Sequence, residues 1–189
     1  LFIQSENIRK LLAETAFKIN KKIPNNIIAV TGTNGKSSVA DFYYQILYLN
    51  KKKVASIGTL GVKSKKFKKN LSNTTIDPIK LSMILSNLKK QNINSVIMEA
   101  SSHGLSQNRL DGLSFNTGIF TNLSQDHMDY HKNIKNYLKA KLYLFEKLIK
   151  INGNIITDEK IFEYNQIKKI ASKKNLNLFS LLDKKNKFQ

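Results

Sequence analysis

The chain has 189 residues, 41% of them hydrophobic and none of them cysteine, which fits one domain able to close its own core and excludes disulfides and thiolate zinc sites. No apolar run reaches membrane-spanning length and no basic start precedes a short apolar stretch, so neither a transmembrane helix nor a signal peptide is indicated and a soluble, cytoplasmic protein is expected. The formal charge of +19 rests on 32 Lys and Arg residues, of which only Arg9 and Arg109 are arginine; lysines scattered in runs at 51–53, 65–69 and 184–187 fit solvated faces and not the forked arginine readout of nucleic acid.

Residues 5–19 place Ile8, Leu11, Leu12, Ala16 and Ile19 near helical spacing, with Ser5 as N-cap. Pro24 and Asn25 break the pattern. Ile27 to Val30 then form a short apolar run of the kind that makes a buried parallel strand. After the Gly-rich segment 31–37, Val39, Phe42, Tyr43, Ile46 and Leu47 give the stripe of an amphipathic helix. Val54 to Ile57 predict a strand, and the Lys-rich stretch 63–70 an exposed hairpin or loop. A helix is expected from Pro78, with Asp77 as N-cap. Strands follow at 95–98 and 117–120, then a long helix over 134–149 with Tyr137, Leu138, Leu142, Phe145 and Leu148 on its apolar side. Strands at 154–156 and 176–179, separated by a helix around 160–173, complete the pattern. This alternation predicts an α/β fold, a mostly parallel sheet with helices on both faces.

The strongest chemical signal is Thr31-Gly32-Thr33-Asn34-Gly35-Lys36-Ser37. Gly32 and Gly35 let the backbone curl so that amide groups face phosphate oxygens, and the following helix N-terminus adds its positive end. Lys36 is placed to reach terminal phosphates and the Ser37 hydroxyl to ligate Mg²⁺. Glu99, at the carboxyl end of a predicted strand, stands where ligands of open α/β sheets collect. Asp126, His127, Asp129 and His131 form the densest group of potential metal ligands in the sequence.

The stretch Val30 to Ser37, with Val30 where the general phosphate-loop pattern has glycine, resembles the phosphate loop of the Mur ligases and the related folylpolyglutamate synthetases. Three further stretches are similar to the Mur ligases that add the third amino acid to UDP-N-acetylmuramoyl-L-alanyl-D-glutamate. They are Asn73-Thr74-Thr75, Met98 to Leu105 with Gln107 and Arg109, and Thr121 to His131; a fourth match is Ala140-Lys141. The resemblance implies an ATP-dependent amide ligase acting through an acyl phosphate, with meso-diaminopimelate or L-lysine as the incoming amine. It implies phosphate contacts from Gly32, Thr33, Asn34, Gly35, Lys36, Ser37 and Ser38, and Mg²⁺ held by Ser37, Glu99, His127 and Lys141. It also implies that CO₂ carbamylates Lys141, which requires a desolvated, neutral amine, and that Thr74, Thr75, Ser101, Gln107 and Arg109 contact the uridine-nucleotide muramoyl dipeptide. Lys139, about 200° around the helix from Lys141, should face elsewhere. Gln125 replaces the Arg usual in relatives, and Ile156 to Glu159 lack their nucleotide-contacting Asn. On this reading residues 1–22 end a preceding segment, residues 23–189 form the ATP-binding central domain, and the molecule is a monomer without nucleic-acid or membrane partners.

Two other amide ligases, folylpolyglutamate and cyanophycin synthetase, remain as alternatives. The stretch Ser101 to Leu105 with Arg109 speaks against the first and less firmly against the second. A basic phosphate-loop protein that binds nucleic acid is the alternative from another class; DNA or RNA binding stronger than ATP binding, and lost with salt, would mark it.

Overall fold

The computed structural model describes residues 4–65 and 67–181, so the lysine run at 184–187 lies outside the described residues. Among the described residues eight strands form one sheet in the order β4-β3-β2-β5-β1-β6-β7-β8. They are β1 (Asn26–Thr31), β2 (Val54–Gly58), β3 (Gly61–Ser64), β4 (Lys68–Lys69), β5 (Ser95–Glu99), β6 (Phe115–Phe120), β7 (Ile149–Thr157) and β8 (Asn177–Ser180). All neighbours are parallel except the β2–β3 and β3–β4 pairs at one edge. The Lys-rich excursion is thus the antiparallel edge hairpin, and its charged side chains suit an edge that must resist further pairing.

The helices are α1 (Ile8–Ile19), α2 (Lys36–Leu49), α3 (Pro78–Lys90), α4 (Ser102–Ser106), α5 (Met128–His131), α6 (Ile134–Tyr143) and α7 (Tyr164–Lys174). Alternation along β1 divides the core in two. Ile27 and Ala29 join the large cluster with Phe17 of α1, Leu85 and Leu88 of α3, Leu105 of α4, Leu142 of α6 and Ile167 of α7. Ile28 and Val30 join a small one with Ala40 of α2. One face therefore carries most of the helices and the other carries α2. Beyond α2, the register Val30–Ile119–Ile156–Phe179 draws an apolar row across β1, β6, β7 and β8, with Phe179 40% exposed at its end.

Several expectations need correction. Asn7, not Ser5, caps α1: its side chain accepts from Lys10 N, while Ser5 Oγ accepts from Asn7 N. The buried residues of α1 are Ala13, Ala16 and Phe17, whereas Ile8, Leu12 and Ile19 are exposed. On α2, Phe42 and Ile46 are likewise exposed, because no element among the described residues packs outside that helix. The helix expected over 134–149 ends at Tyr143 and passes into a π-helical turn, Leu144–Leu148. That turn keeps Phe145 and Leu148 in the core but changes the hydrogen-bond register, so β7 starts at Ile149 and not at 154. The helix expected around 160–173 runs from Tyr164 to Lys174. The strand expected over 117–120 starts at Phe115, and a register shift between Phe115 and Thr117 lets Phe115 join the main core.

Candidate active site

The carboxyl ends of the central parallel strands meet at one pole of the sheet. There the loop after β1, Thr59 after β2, Glu99 at the end of β5 and the segment after β6 surround a cleft of about 370 Å³. Its walls include Thr33 to Ser38, Thr74, Ser101, His127, Tyr137 and Lys141. This is where an open α/β sheet receives a ligand, since the chain passes from β1 to β2 on one side of β1 and from β5 to β6 on the other.

The loop after β1 curls as its glycines permit. Gly32 and Gly35 have φ of 142° and 84°, and Gly35 is the left-handed N-cap from which α2 begins at Lys36. The strand-end residues Thr121 and Asn122 strap the loop down. Thr33 N donates to Asn122 O at 2.9 Å, Asn34 N to Asn122 Oδ1 at 3.0 Å, and Thr121 Oγ1 to Asn34 O at 2.7 Å. A side chain at Gly32 would run into the Thr121 hydroxyl. Lys36 folds back over the loop and donates from Nζ to Gly32 O at 3.0 Å and Thr33 O at 2.7 Å. Burial lowers its pKa, with Glu99 and Asp126 acting the other way. Lys36 is the group a phosphate would draw away from those carbonyls.

Ser37 and Glu99 are in contact, Oγ donating to Oε2 at 2.9 Å. Glu99 is 3% exposed and also accepts from Thr59 N at 2.8 Å and Thr59 Oγ1 at 3.2 Å. A hydroxyl and a fixed carboxylate beside a phosphate loop are the hard oxygen donors that Mg²⁺ prefers. The carboxylate reaches this position because Gly58 has no Cβ; a methyl there would overlap the Glu99 side chain.

Lys141 is 1% exposed. Its Nζ donates to Gly32 O at 2.6 Å and lies 4.2 Å from the centre of the Tyr137 ring. Burial first, and the Lys36 charge second, lower its pKa from 10.5 to about 7. Two ammonium groups thus share the Gly32 carbonyl. Lys139 is exposed, facing away as its helical angle requires.

The three histidines of the chain cluster at one side of the cleft. The His103 ring lies 4.8 Å from His127 and 5.5 Å from His131. His131 is buried, its Nε2 3.0 Å from Ser102 Oγ, and His127 is paired with Asp126 at 3.4 Å. Burial lowers the pKa of His103 and of His131. Among the described residues no group of three or more His, Asp or Glu converges as a metal cage, so the cluster at 126–131 does not form one. The Ser37–Glu99 pair is the oxygen donor set beside the loop, and His127 lies on the same cleft wall.

Around the rim, Thr74 Oγ1 lies 2.9 Å from Thr59 Oγ1. The Thr75 hydroxyl is buried and tied into the strand end, donating to Glu99 O at 3.0 Å and accepting from Ser101 N at 2.9 Å. Ser101 caps α4 by accepting from Gly104 N. Arg109 donates from Nε and Nη2 to Gln107 Oε1 at 3.0 and 2.7 Å, and from Nη1 to Thr75 O at 2.5 Å. The expected substrate residues are therefore contiguous, with Gln107 and Arg109 just outside the cleft wall. Thr59, Gly58 and Tyr137 are site residues that the sequence reading did not single out. Thr59 follows a predicted strand at the ligand-binding pole, and Tyr137 lies one turn before Lys141 on the same helix face; those positions are the signals that could have found them.

Comparison with known proteins decides the family. The model of the Mur ligase middle domain matches residues 30–189. This chain belongs to the Mur ligase middle domain family. A relative from Wigglesworthia glossinidia brevipalpis, named UDP-N-acetylmuramoyl-L-alanyl-D-glutamate--2,6-diaminopimelate ligase, is 45% identical over 147 residues, 78% of this chain and 29% of the relative. The Bradyrhizobium diazoefficiens protein of the same name is 46% identical over 152 residues, 80% of this chain and 31% of its own. A solved structure of a ligase with that name superposes with a TM-score of 0.81 at 27% identity, covering 96% of this chain and 38% of the other. This Mur ligase middle domain thus spans about a third of the length of the curated relatives it matches.

Proposed function

We propose that the chain is the ATP-binding part of a ligase that joins diaminopimelate to UDP-N-acetylmuramoyl-L-alanyl-D-glutamate during peptidoglycan synthesis. The carrying observation is the convergence of Lys36, the Ser37–Glu99 pair and the buried Lys141 on one phosphate-binding loop. Residues 23–189 act as the nucleotide domain, and α1 packs against its core through Phe17. The names of the relatives favour diaminopimelate over lysine as the incoming amine.

In this reading Gly32, Thr33, Asn34, Gly35, Ser37 and Ser38 present backbone donors and hydroxyls to the nucleotide phosphates. Lys36 exchanges the Gly32 and Thr33 carbonyls for phosphate oxygens, neutralising charge on the group in transfer. Ser37, Glu99 and His127 would hold Mg²⁺, which would supply Lewis-acid neutralisation of the phosphates. Lys141 would join them as a carbamate: desolvation lowers its pKa toward the neutral amine, the form that combines with CO₂ and releases a proton as the carbamate forms. Thr74, Thr75, Ser101, Gln107 and Arg109 shape the seat of the muramoyl dipeptide, where a carboxylate activated as an acyl phosphate meets the amine. The site works in the cytoplasm on a monomer without nucleic acid; among the described residues no helix is long and apolar enough to cross a membrane.

The test is a thermal-shift titration with Mg–ATP and with the uridine-linked muramoyl dipeptide. Both should raise the melting temperature, as ligands of the native state do. A chain indifferent to both overturns the proposal. For Lys141, carbon-13 NMR under labelled CO₂ should show a carbamate resonance that Lys141→Ala removes.

A further inference from the structure

Tyr137 is the side chain at which the phosphate loop, the lysine helix and the histidine cluster meet. It is 1% exposed. Its hydroxyl lies 3.3 Å from Thr33 Oγ1. That oxygen donates its own hydrogen to Ser124 O at 3.2 Å and accepts from Ser124 N at 3.0 Å, so the hydrogen between Thr33 and Tyr137 comes from the phenol. The ring face of Tyr137 lies 4.2 Å from Lys141 Nζ, which in turn donates to Gly32 O. One side chain therefore reaches two consecutive loop residues, Thr33 directly and Gly32 through Lys141. The His131 ring backs it at a centroid distance of 5.1 Å.

A tyrosine that only filled space would need no hydroxyl here. Phe145 and Phe120, in the core beneath the same helix, are phenylalanines. A buried phenol without a partner is destabilising, so its retention points to the bond it makes.

We propose that Tyr137 is a positioning residue of the nucleotide site, its hydroxyl fixing the Thr33 corner of the loop while its ring fixes Lys141 over Gly32. This rests on the reading of the loop as an ATP site. The two halves of the side chain are separable: Tyr137→Phe removes the hydroxyl and keeps the ring, and Tyr137→Leu removes both.

Two readouts on the 189-residue chain test it: Mg–ATP affinity by calorimetry, and the Lys141 ε-methylene proton shifts in carbon-13-lysine NMR, which a ring face above them moves upfield. Tyr137→Phe should weaken Mg–ATP binding about two- to tenfold, the range of one lost hydrogen bond, with the Lys141 shifts unmoved. Tyr137→Leu should also abolish the upfield shift. Thr33→Val, alone and combined with Tyr137→Phe, closes a cycle in which the combined loss of affinity is smaller than the product of the single losses. A packing role alone would give neither the split between readouts nor the coupling. If Tyr137→Leu does not fold, the Phe variant and the cycle decide. Wild-type affinity in Tyr137→Phe, or full additivity with Thr33→Val, overturns the inference while leaving the ATP site standing. Absence of Mg–ATP binding in the wild-type chain overturns the ATP site and this inference with it.

Discussion

Replacing Lys141 by methionine should stabilise the protein in acid and progressively less so as pH rises. In the fold the Lys141 pKa falls from 10.5 to about 7, which corresponds to about 5 kcal/mol between charged and neutral forms. Below pH 7 the residue carries its proton in both folded and unfolded chains, and the fold bears the whole cost of burying an ammonium. Above pH 7 the folded lysine sheds its proton while the unfolded one keeps it up to 10.5. Stability of the wild type therefore climbs by about 1.4 kcal/mol per pH unit across that window. Methionine fills a similar volume without charge, but it forfeits the bond to Gly32 O and the contact with the Tyr137 ring, together worth about 1 to 3 kcal/mol. The variant should thus be more stable by about 2 to 4 kcal/mol at about pH 6, with the advantage shrinking toward pH 9. Urea unfolding at intervals over that range, in buffers freed of CO₂, measures the difference directly. A difference independent of pH, or a variant less stable than wild type at about pH 6, would refute the account of Lys141 as a desolvated cation.

Lys36→Ala should abolish Mg–ATP binding in calorimetry while leaving the melting temperature nearly unchanged, because removing a cation whose burial is unfavourable offsets the two lost bonds and Gly32 O still accepts from Lys141. Gly58→Ala should displace the Glu99 carboxylate from Thr59 and Ser37. The expected loss is about 1 to 3 kcal/mol of stability, seen as a lower melting temperature, together with a loss of the Mg²⁺ dependence of nucleotide binding. Asn122→Ala removes the bond to Asn34 N and should weaken nucleotide binding several-fold with little change in the far-UV spectrum. Fluorescence anisotropy should find any binding of labelled DNA weaker than that of ATP and lost at moderate salt.

The sheet and its loop were legible because their signals are contiguous: an apolar run, two glycines, Lys-Ser and an amphipathic stretch stand in the order that β1, the loop and α2 occupy. Lys141 was legible only through the resemblance, since in residue chemistry alone it is one lysine among many. Its distinction is burial, which no local pattern encodes. Periodicity along 134–149 identified Tyr137, Leu142, Phe145 and Leu148 as buried, with Leu138 only partly so, but could not show that the backbone changes from α to π turns at Leu144. On α1 and α2 the same periodicity named apolar residues such as Ile8 and Phe42 that nothing among the described residues covers. Thr59 and Gly58 escaped notice because they act by a close approach of backbone to the Glu99 carboxylate, which for Thr59 is 40 residues away in sequence.

The uncovered side of the sheet sets how the molecule behaves among its own copies. Phe42, Ile46 and Leu49 on α2 are 62%, 59% and 76% exposed, and Phe179 adds to them at the far strand, a combination that favours self-association. The net charge of +19 opposes it, since every approach of two copies meets a cloud of like charge. That repulsion reaches only as far as the Debye length, about 10 Å at 0.1 M salt and about 3 Å at 1 M. Light scattering on the isolated chain should therefore rise with added salt well before any loss of secondary structure, the scattered lysines acting as a colloidal stabiliser that salt switches off.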